Sequence, residues 1–414
     1  MLTRFLGRLA LLLCLAATCR AQVSPFPSGD WDSLNDAGEK AYQRRQYAAS
    51  ENFLQAALKQ AEKFGPTDLR LATTLNDLAL LYRAEGKFKE AEPLYRRSLA
   101  IREKKLGLSH PLVATSLNNL AGLLAAEKHY TEADRYYSRA LAIREKALGR
   151  DNPEVAVILN NLAAMYSAQE KFGKAEPLLK RALSIREQSL GLNDPQVANA
   201  LNNLAGVYAS EGKYADAEPL YLRAISIDEK IQGPEQTALT MDLSNLGAMY
   251  FQQAKYDAAE PLYRRALEIR DKTLGPIHPL TGVAVQNLAN LYKAQSKFAQ
   301  AEALYIRALS IFDQSVGRDS SESGSVLDAL SSLYAAEEKY SDADPIYSRL
   351  LDLEAKTFGP QSLTVAGTLD NYSQTLRKLA QDSKAAECEA RAKSIRASQP
   401  PAAAPARPAT VSSK

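Results

Sequence analysis

Few side chains in this 414-residue sequence have the type and spacing that a reaction needs. There are three histidines. His110 and His278 each precede a proline, a helix-capping context, and His129 sits in a polar turn. No GxSxG, HExxH or P-loop spacing occurs, and Gly86-Lys87 and Gly212-Lys213 lack the upstream glycine of a phosphate-binding loop. Carboxylates are plentiful but stand beside Arg and Lys, as in Arg144-Glu145-Lys146, where solvated ion pairs on a helix account for them. The sequence therefore points away from an enzyme. No cofactor, metal or small-molecule substrate is expected.

One polar series resists that plain reading. Asparagines recur at Asn76, Asn118, Asn119, Asn160, Asn161, Asn202, Asn203, Asn245, Asn287 and Asn371. Each costs about 0.5 kcal/mol against alanine inside a helix. Together the series forgoes on the order of 5 kcal/mol, a large share of the stability of a typical domain. An amide donates and accepts, so it can bond a peptide backbone whatever the peptide's sequence. It can equally tie neighbouring helices together. The two roles predict opposite signs for replacement by alanine: neutral or stabilising if the amides wait for a ligand, destabilising if they are bonded internally.

The elements that carry these amides follow from a fixed period. The pattern LxNLAxxY…KYxxAxPLYxRALxIREKxLG returns every 42 residues, with its leucine at Leu78, Leu120, Leu162, Leu204, Leu246, Leu288 and Leu330. A period of this size marks a solenoid built from one repeated supersecondary unit. Two helices can be read in each unit. The first follows a capping residue, Asp68, Asn152, Asp194, Ser320 or Ser362, and Pro111, Pro153, Pro195 and Pro279 take its first position. The second ends at a glycine, from Gly65 through Gly107, Gly149, Gly191, Gly233, Gly275 and Gly317 to Gly359, which suggests a left-handed cap.

Between them lies a short turn followed by an aromatic residue. An alanine comes three residues later (Ala91, Ala133, Ala175, Ala217, Ala259, Ala301, Ala343), then a large residue four further on (Tyr95, Tyr137, Leu179, Tyr221, Tyr263, Tyr305, Tyr347). Small-then-large spacing lets two helices approach and interlock. Nine units start near Trp31, Leu71, Val113, Val155, Val197, Leu239, Thr281, Ser323 and Val365. The last has Asp382 in place of the aromatic and Glu389 in place of the large residue, as suits a terminal cap.

Leu162, Ala163, Tyr166, Ala175 and Ala182 match the signature of the tetratricopeptide repeat. The period and the tail Ile143-Arg144-Glu145-Lys146…Leu148-Gly149 resemble more closely the repeats of kinesin light chains, over residues 31–396. The resemblance implies an all-α, TPR-type α-solenoid: a right-handed superhelix of antiparallel helix pairs whose first helices line a concave groove. It also implies that Asn119, Asn161, Asn203, Asn245 and Asn287 reach the backbone of a peptide in that groove. Asn118, Asn160 and Asn202, the first of each pair, suit a more structural role. Gly122, Ala126, Ala164, Ala168, Gly206 and Ala209 would make the groove roomy and neutral, and Lys293, Arg377 and Lys378 with Asp328 and Asp370 would charge its C-terminal end only weakly.

The N-terminus reads as a secretory signal over residues 1–21: Arg4 and Arg8, an apolar run from Leu9 to Ala17, and a small-residue cleavage site at Ala21. An uncleaved N-terminal membrane anchor is the alternative. Cleavage removes Arg4, Arg8 and Arg20 and no acid, taking the net charge from +3 to 0. The mature chain then has no bias toward nucleic acid or anionic membranes. Only Cys388 would remain, flanked by alanines, so no internal disulfide is expected. Residues 397–414 are rich in Pro, Ala and Ser and read as a disordered tail.

The expected protein is thus an exported, periplasmic or secreted non-enzymatic scaffold that binds a peptide or a partner protein. The alternatives are a self-associating component of an envelope or secretion assembly, and an intracellular kinesin-light-chain-like adaptor if the signal is retained.

Overall fold

The computed structural model describes residues 29–230 and 237–399. The expected signal, Gly233 and residues 400–414 lie outside them. Among the described residues there are eighteen α-helices and no strand, so the chain is all-α. They form nine pairs of a first and a second helix. These are α1 (Trp31–Gln43) with α2 (Tyr47–Lys63), α3 (Leu69–Ala84) with α4 (Phe88–Leu106), and α5 (Pro111–Ala126) with α6 (Tyr130–Leu148). Next come α7 (Pro153–Ser167) with α8 (Phe172–Leu190), α9 (Pro195–Ser210) with α10 (Tyr214–Asp228), and α11 (Thr237–Gln252) with α12 (Tyr256–Thr273). The last are α13 (Pro279–Ala294) with α14 (Phe298–Ser315), α15 (Ser321–Ala336) with α16 (Tyr340–Phe358), and α17 (Leu363–Lys378) with α18 (Asp382–Ser398). Helix α18 therefore takes in Ala397 and Ser398, which the composition alone had placed in the tail.

The described residues pack as two compact units that divide within α7, between residues 165 and 166. Within each, helices stack in chain order, with α2, α4, α10, α12, α14 and α16 each lying between its own first helix and the next one. First helices of neighbouring pairs also touch: α1 with α3 and α3 with α5 in one unit, α9 with α11 and α13 with α15 in the other. Second helices do so less, which makes the first-helix side the crowded, inner side of each stack.

The caps form as their residue types require. Oxygens of Asp68, Asn152, Asp194, Ser320 and Ser362 accept a backbone N–H of the first turn, at 2.8–3.3 Å. His110 and His278 do the same through Nδ1, each at 3.1 Å, so these two imidazoles are caps. The closing glycines correct one expectation. Gly107 has φ 85° and ψ 161°, and Gly191 φ 84° and ψ 163°. This is the extended positive-φ region open to glycine alone, not the left-handed helical cap. The glycine N–H closes the last helical turn, while its carbonyl accepts from the capping residue three positions on, as between Gly107 and His110 at 3.4 Å. A left-handed ψ would aim that carbonyl elsewhere. True left-handed residues occur instead in the turns within pairs, at Arg45, Lys128, Glu170, Ala254, Ser296, Glu338 and Ala380, with φ of 55–64°.

The core is the small-then-large spacing made solid. Ala91, Ala133, Ala175, Ala217, Ala259, Ala301 and Ala343 are fully buried, and the large residues from Tyr95 to Tyr347 are at most 5% exposed. The close approach leaves no slack: a Cβ on Gly247 of α11 would meet the Tyr263 ring at 2.9 Å. Ala217→Leu should therefore force overpacking between α10 and its neighbours and cost roughly 1–3 kcal/mol. Because pairs contact only their neighbours, hydrogen exchange should show faster opening around α9 to α11 and little change at α17 and α18. Uniform loss of protection in every pair would contradict a stack of nearest-neighbour contacts.

Candidate peptide-binding groove

The asparagine series lies on the inner, first-helix side and is bonded across successive pairs. Asn119 Nδ2 donates to Asn76 Oδ1 at 2.9 Å, and Asn161 Nδ2 to Asn118 Oδ1 at 3.0 Å. Asn245 Nδ2 donates to Asn202 Oδ1 at 3.1 Å. The offset is 43 residues each time, from the second amide of one pair to the first amide of the pair before. At the N-terminal end the chain of bonds continues through Asp77, which accepts from Asn76 at 3.3 Å and from Asn35 at 3.0 Å. Burial raises the Asp77 carboxyl above its usual range, and these two amides work against that shift. Asn160 and Asn203 are not free either. Asn287 stands apart: the residue 43 positions before it is Ser244, whose hydroxyl turns to the Thr240 carbonyl, and the Asn287 side chain has no hydrogen bond among the described residues.

The amides thus link neighbouring pairs, and they also retain capacity. A primary amide has two donors and one acceptor carbonyl. Asn161 and Asn245 each spend one N–H on the preceding pair. The first amides are the more deeply set, with Asn76 5% and Asn202 8% exposed, whereas Asn203 lies open. Around them Ala126, Ala164 and Ala168 are exposed, and Gly122, Gly206 and Ala209 half-buried, leaving a shallow neutral floor. The charges toward the C-terminal end are mostly answered internally. Arg377 grips Glu389 at 2.8 Å, Asp370 takes Arg396, and Lys293 donates to the Ala329 carbonyl at 3.2 Å and to Ser332. Lys378 is exposed.

Three contacts that residue types alone did not reveal recur in step with the amides. Tyrosines of first helices donate to carboxylates 32 residues earlier: Tyr208 to Glu176, Tyr250 to Glu218, Tyr292 to Glu260 and Tyr334 to Glu302, at 2.8–3.1 Å. Turn lysines reach the same acids, Lys213 to Glu176 at 3.4 Å and Lys339 to Glu302 at 2.8 Å. Arginines answer acids 36 residues earlier, as in Arg139–Glu103, Arg223–Glu187 and Arg349–Asp313, at 2.5–2.6 Å. The signal was present as columns of Tyr, Glu and Arg at constant offsets. Among the described residues no group of three or more His, Cys, Asp or Glu gathers as a metal site, and no helix is long and apolar enough to cross a membrane.

Helix pairs stacked in constant register, with a polar amide line along the inner face, define a helical-repeat protein. The chain belongs to the tetratricopeptide repeat family, whose model matches residues 33–104, 112–188, 171–230, 196–272 and 237–314, with a second model of the repeat at 76–147. No curated protein matches it. Among solved structures, the apo quorum sensor NprR from B. thuringiensis is similar at 14% identity and a TM-score of 0.57, covering 88% of this chain and 98% of that one. BtubC (BKLC) from P. vanneervenii is 28% identical at a TM-score of 0.45, over 59% of this chain and 91% of its own. A kinesin light chain of Podosopora anserina with nearly identical TPR-like repeats is 22% identical at a TM-score of 0.33, over 60% and 97%. The likeness to NprR is one of fold.

One junction departs from the pattern. Asp228 of α10 and Asp242 of α11 are 3% and 4% exposed, and Asp228 Oδ1 and Asp242 Oδ2 have no hydrogen-bond partner among the described residues. Burial pushes Asp228 up to about 6; burial, and then the Asp228 charge, push Asp242 up to about 8. A raised carboxyl pKa means that the folded chain holds protons the unfolded chain releases. Stability from this pair is therefore complete below the unfolded value near 3.8 and is lost as pH rises through about 8. Asp242→Asn should remove most of that loss. Relative to the parent, the variant should gain on the order of 1–3 kcal/mol at pH 8.5 and much less at pH 4. Denaturant midpoints at the two pH values check this, and an equal difference at both would exclude a protonated pair.

Proposed function

We propose that this protein is a non-enzymatic scaffold, exported from the cytoplasm, that holds an extended peptide or a partner protein on its first-helix face. The observation that carries the reading is the spare capacity of the second amides. Asn161 and Asn245 are half committed to the fold and half available, on a face otherwise small and neutral. Neighbouring helices stand about 8–10 Å apart, close to the rise of three extended peptide residues, so successive pairs can meet one backbone at regular steps. Export rests on Arg4, Arg8, the Leu9–Ala17 run and Ala21.

Two measurements test this. Protein recovered from the producing cell should begin at or near Gln22; a full-length cytosolic chain would replace export with the intracellular adaptor reading. A partner captured by cross-linking to the mature chain should then be titrated against a variant with Asn161, Asn203 and Asn245 all changed to Ala. The amide bonds already seen predict a lower melting temperature, worth roughly 1–3 kcal/mol after the gain in helix propensity is subtracted. Groove binding predicts, in addition, at least tenfold weaker affinity under conditions where the variant is fully folded. Unchanged affinity with lowered stability would leave the amides purely structural and move the ligand surface elsewhere.

A further inference from the structure

A guanidinium recurs near the end of the second helices and reaches the next first helix. Arg102 donates to the Leu112 carbonyl at 3.3 Å and to Ser116 Oγ at 2.8 Å. Arg186 donates to the Gln196 carbonyl at 3.0 Å, and Arg270 to the Leu280 carbonyl at 2.8 Å. In α16 the same place holds Glu354, and the positions matching Leu112 and Ser116 are Thr364 and Thr368. The internal cation has become an anion. Glu354 is 7% exposed; its Oε1 accepts from Thr368 at 3.1 Å, and its Oε2 has no partner among the described residues. No basic side chain lies within ion-pair distance of it among the described residues.

Where arginine is missing there is space. A cleft of about 570 Å3 runs between α15 and α17 over α16, with Glu354 and Thr368 in its wall, Asp328 beside them and Leu353, Phe358 and Leu363 as apolar surface. Gly367 keeps it open: a Cβ there would meet nothing within 4 Å, whereas the matching positions of earlier pairs all carry a side chain, Thr115, Val157, Asn199, Met241, Val283 and Ser325. Lys293 feels the charge of Asp328 but is bonded to the Ala329 carbonyl and to Ser332.

We propose that this cleft receives the guanidinium of an arginine side chain from the partner, which takes the place of the arginine that other pairs supply from within. The orphaned Glu354 oxygen and Asp328 meet the charge, and the apolar wall takes the methylene stem. The proposal deepens the groove reading and rests on it, since the cleft opens between two first helices.

The probe is Nα-acetyl-arginine amide, with the neutral isostere Nα-acetyl-citrulline amide as control, titrated into the full mature chain and followed by ligand-observed NMR. The arginine amide should bind saturably at one site, and the citrulline amide should not. Glu354→Gln keeps an acceptor for Thr368 and should weaken the arginine amide roughly tenfold, the loss of one charge-assisted contact. Gly367→Met should close the cleft and abolish binding while leaving the melting temperature unchanged or higher, since methionine is the better helix former. That second variant decides the matter if Glu354→Gln fails to fold. Equal binding of both amides, or arginine affinity unchanged in Gly367→Met, would overturn the proposal. Failure here touches the cleft alone, because the groove is judged separately by the captured partner on the triple asparagine variant.

Discussion

The closeness of two helices at a buried alanine is what the rest of the molecule depends on. With Ala91, Ala133, Ala175, Ala217, Ala259, Ala301 and Ala343 fully buried, the second helix sits at a set height on the first, and the large residue one turn later locks its rotation. Once height and rotation are set in every pair, the side chains that project toward the next pair arrive at constant places. That is why an amide finds its partner 43 residues away, a tyrosine 32 and an arginine 36. One inserted residue in a helix would put all of these groups out of step at once.

The junctions are held by many weak contacts rather than by a few strong ones. The arginine–acid pairs are largely solvated, and such pairs contribute little individually. The amide bonds are better shielded. They also show where the regularity stops, because Ser244 ends the line and leaves the Asn287 amide without an acceptor among the described residues. The buried position near the end of the second helices is the most informative of all. It is arginine at Arg102, Arg144, Arg186 and Arg270, aspartate at Asp228, phenylalanine at Phe312 and glutamate at Glu354. Changing that one residue turns a bonded junction into a carboxyl pair, an apolar plug or a cleft.

Much of the fold was legible because a period needs no partner to be seen. The helix pairs, the capping residues, the proline starts and the alanine–tyrosine core all follow from residues read against one another at fixed spacing. The glycine conformation was not legible, since Gly107 takes its ψ from the carbonyl it must offer to His110, a constraint that lies three residues downstream. The destination of the amides was not legible either: an asparagine bonded to the next helix and one waiting for a ligand look alike in sequence. Nothing in the sequence sets Glu354 apart from its other carboxylates. Only its burial and the emptiness beside it distinguish it from the solvated carboxylates.

The turns within the pairs carry a different message, about room for change. Seven residues with side chains, from Arg45 to Ala380, are held in the left-handed region, each against a preference of roughly 1 kcal/mol for glycine. None of them belongs to the amide line or to the alanine core. The chain therefore holds a reserve of several stabilising substitutions, spread along its length. Such a reserve makes it a tolerant frame: the inner face can be rewritten residue by residue for new cargo, with the losses made good at the turns.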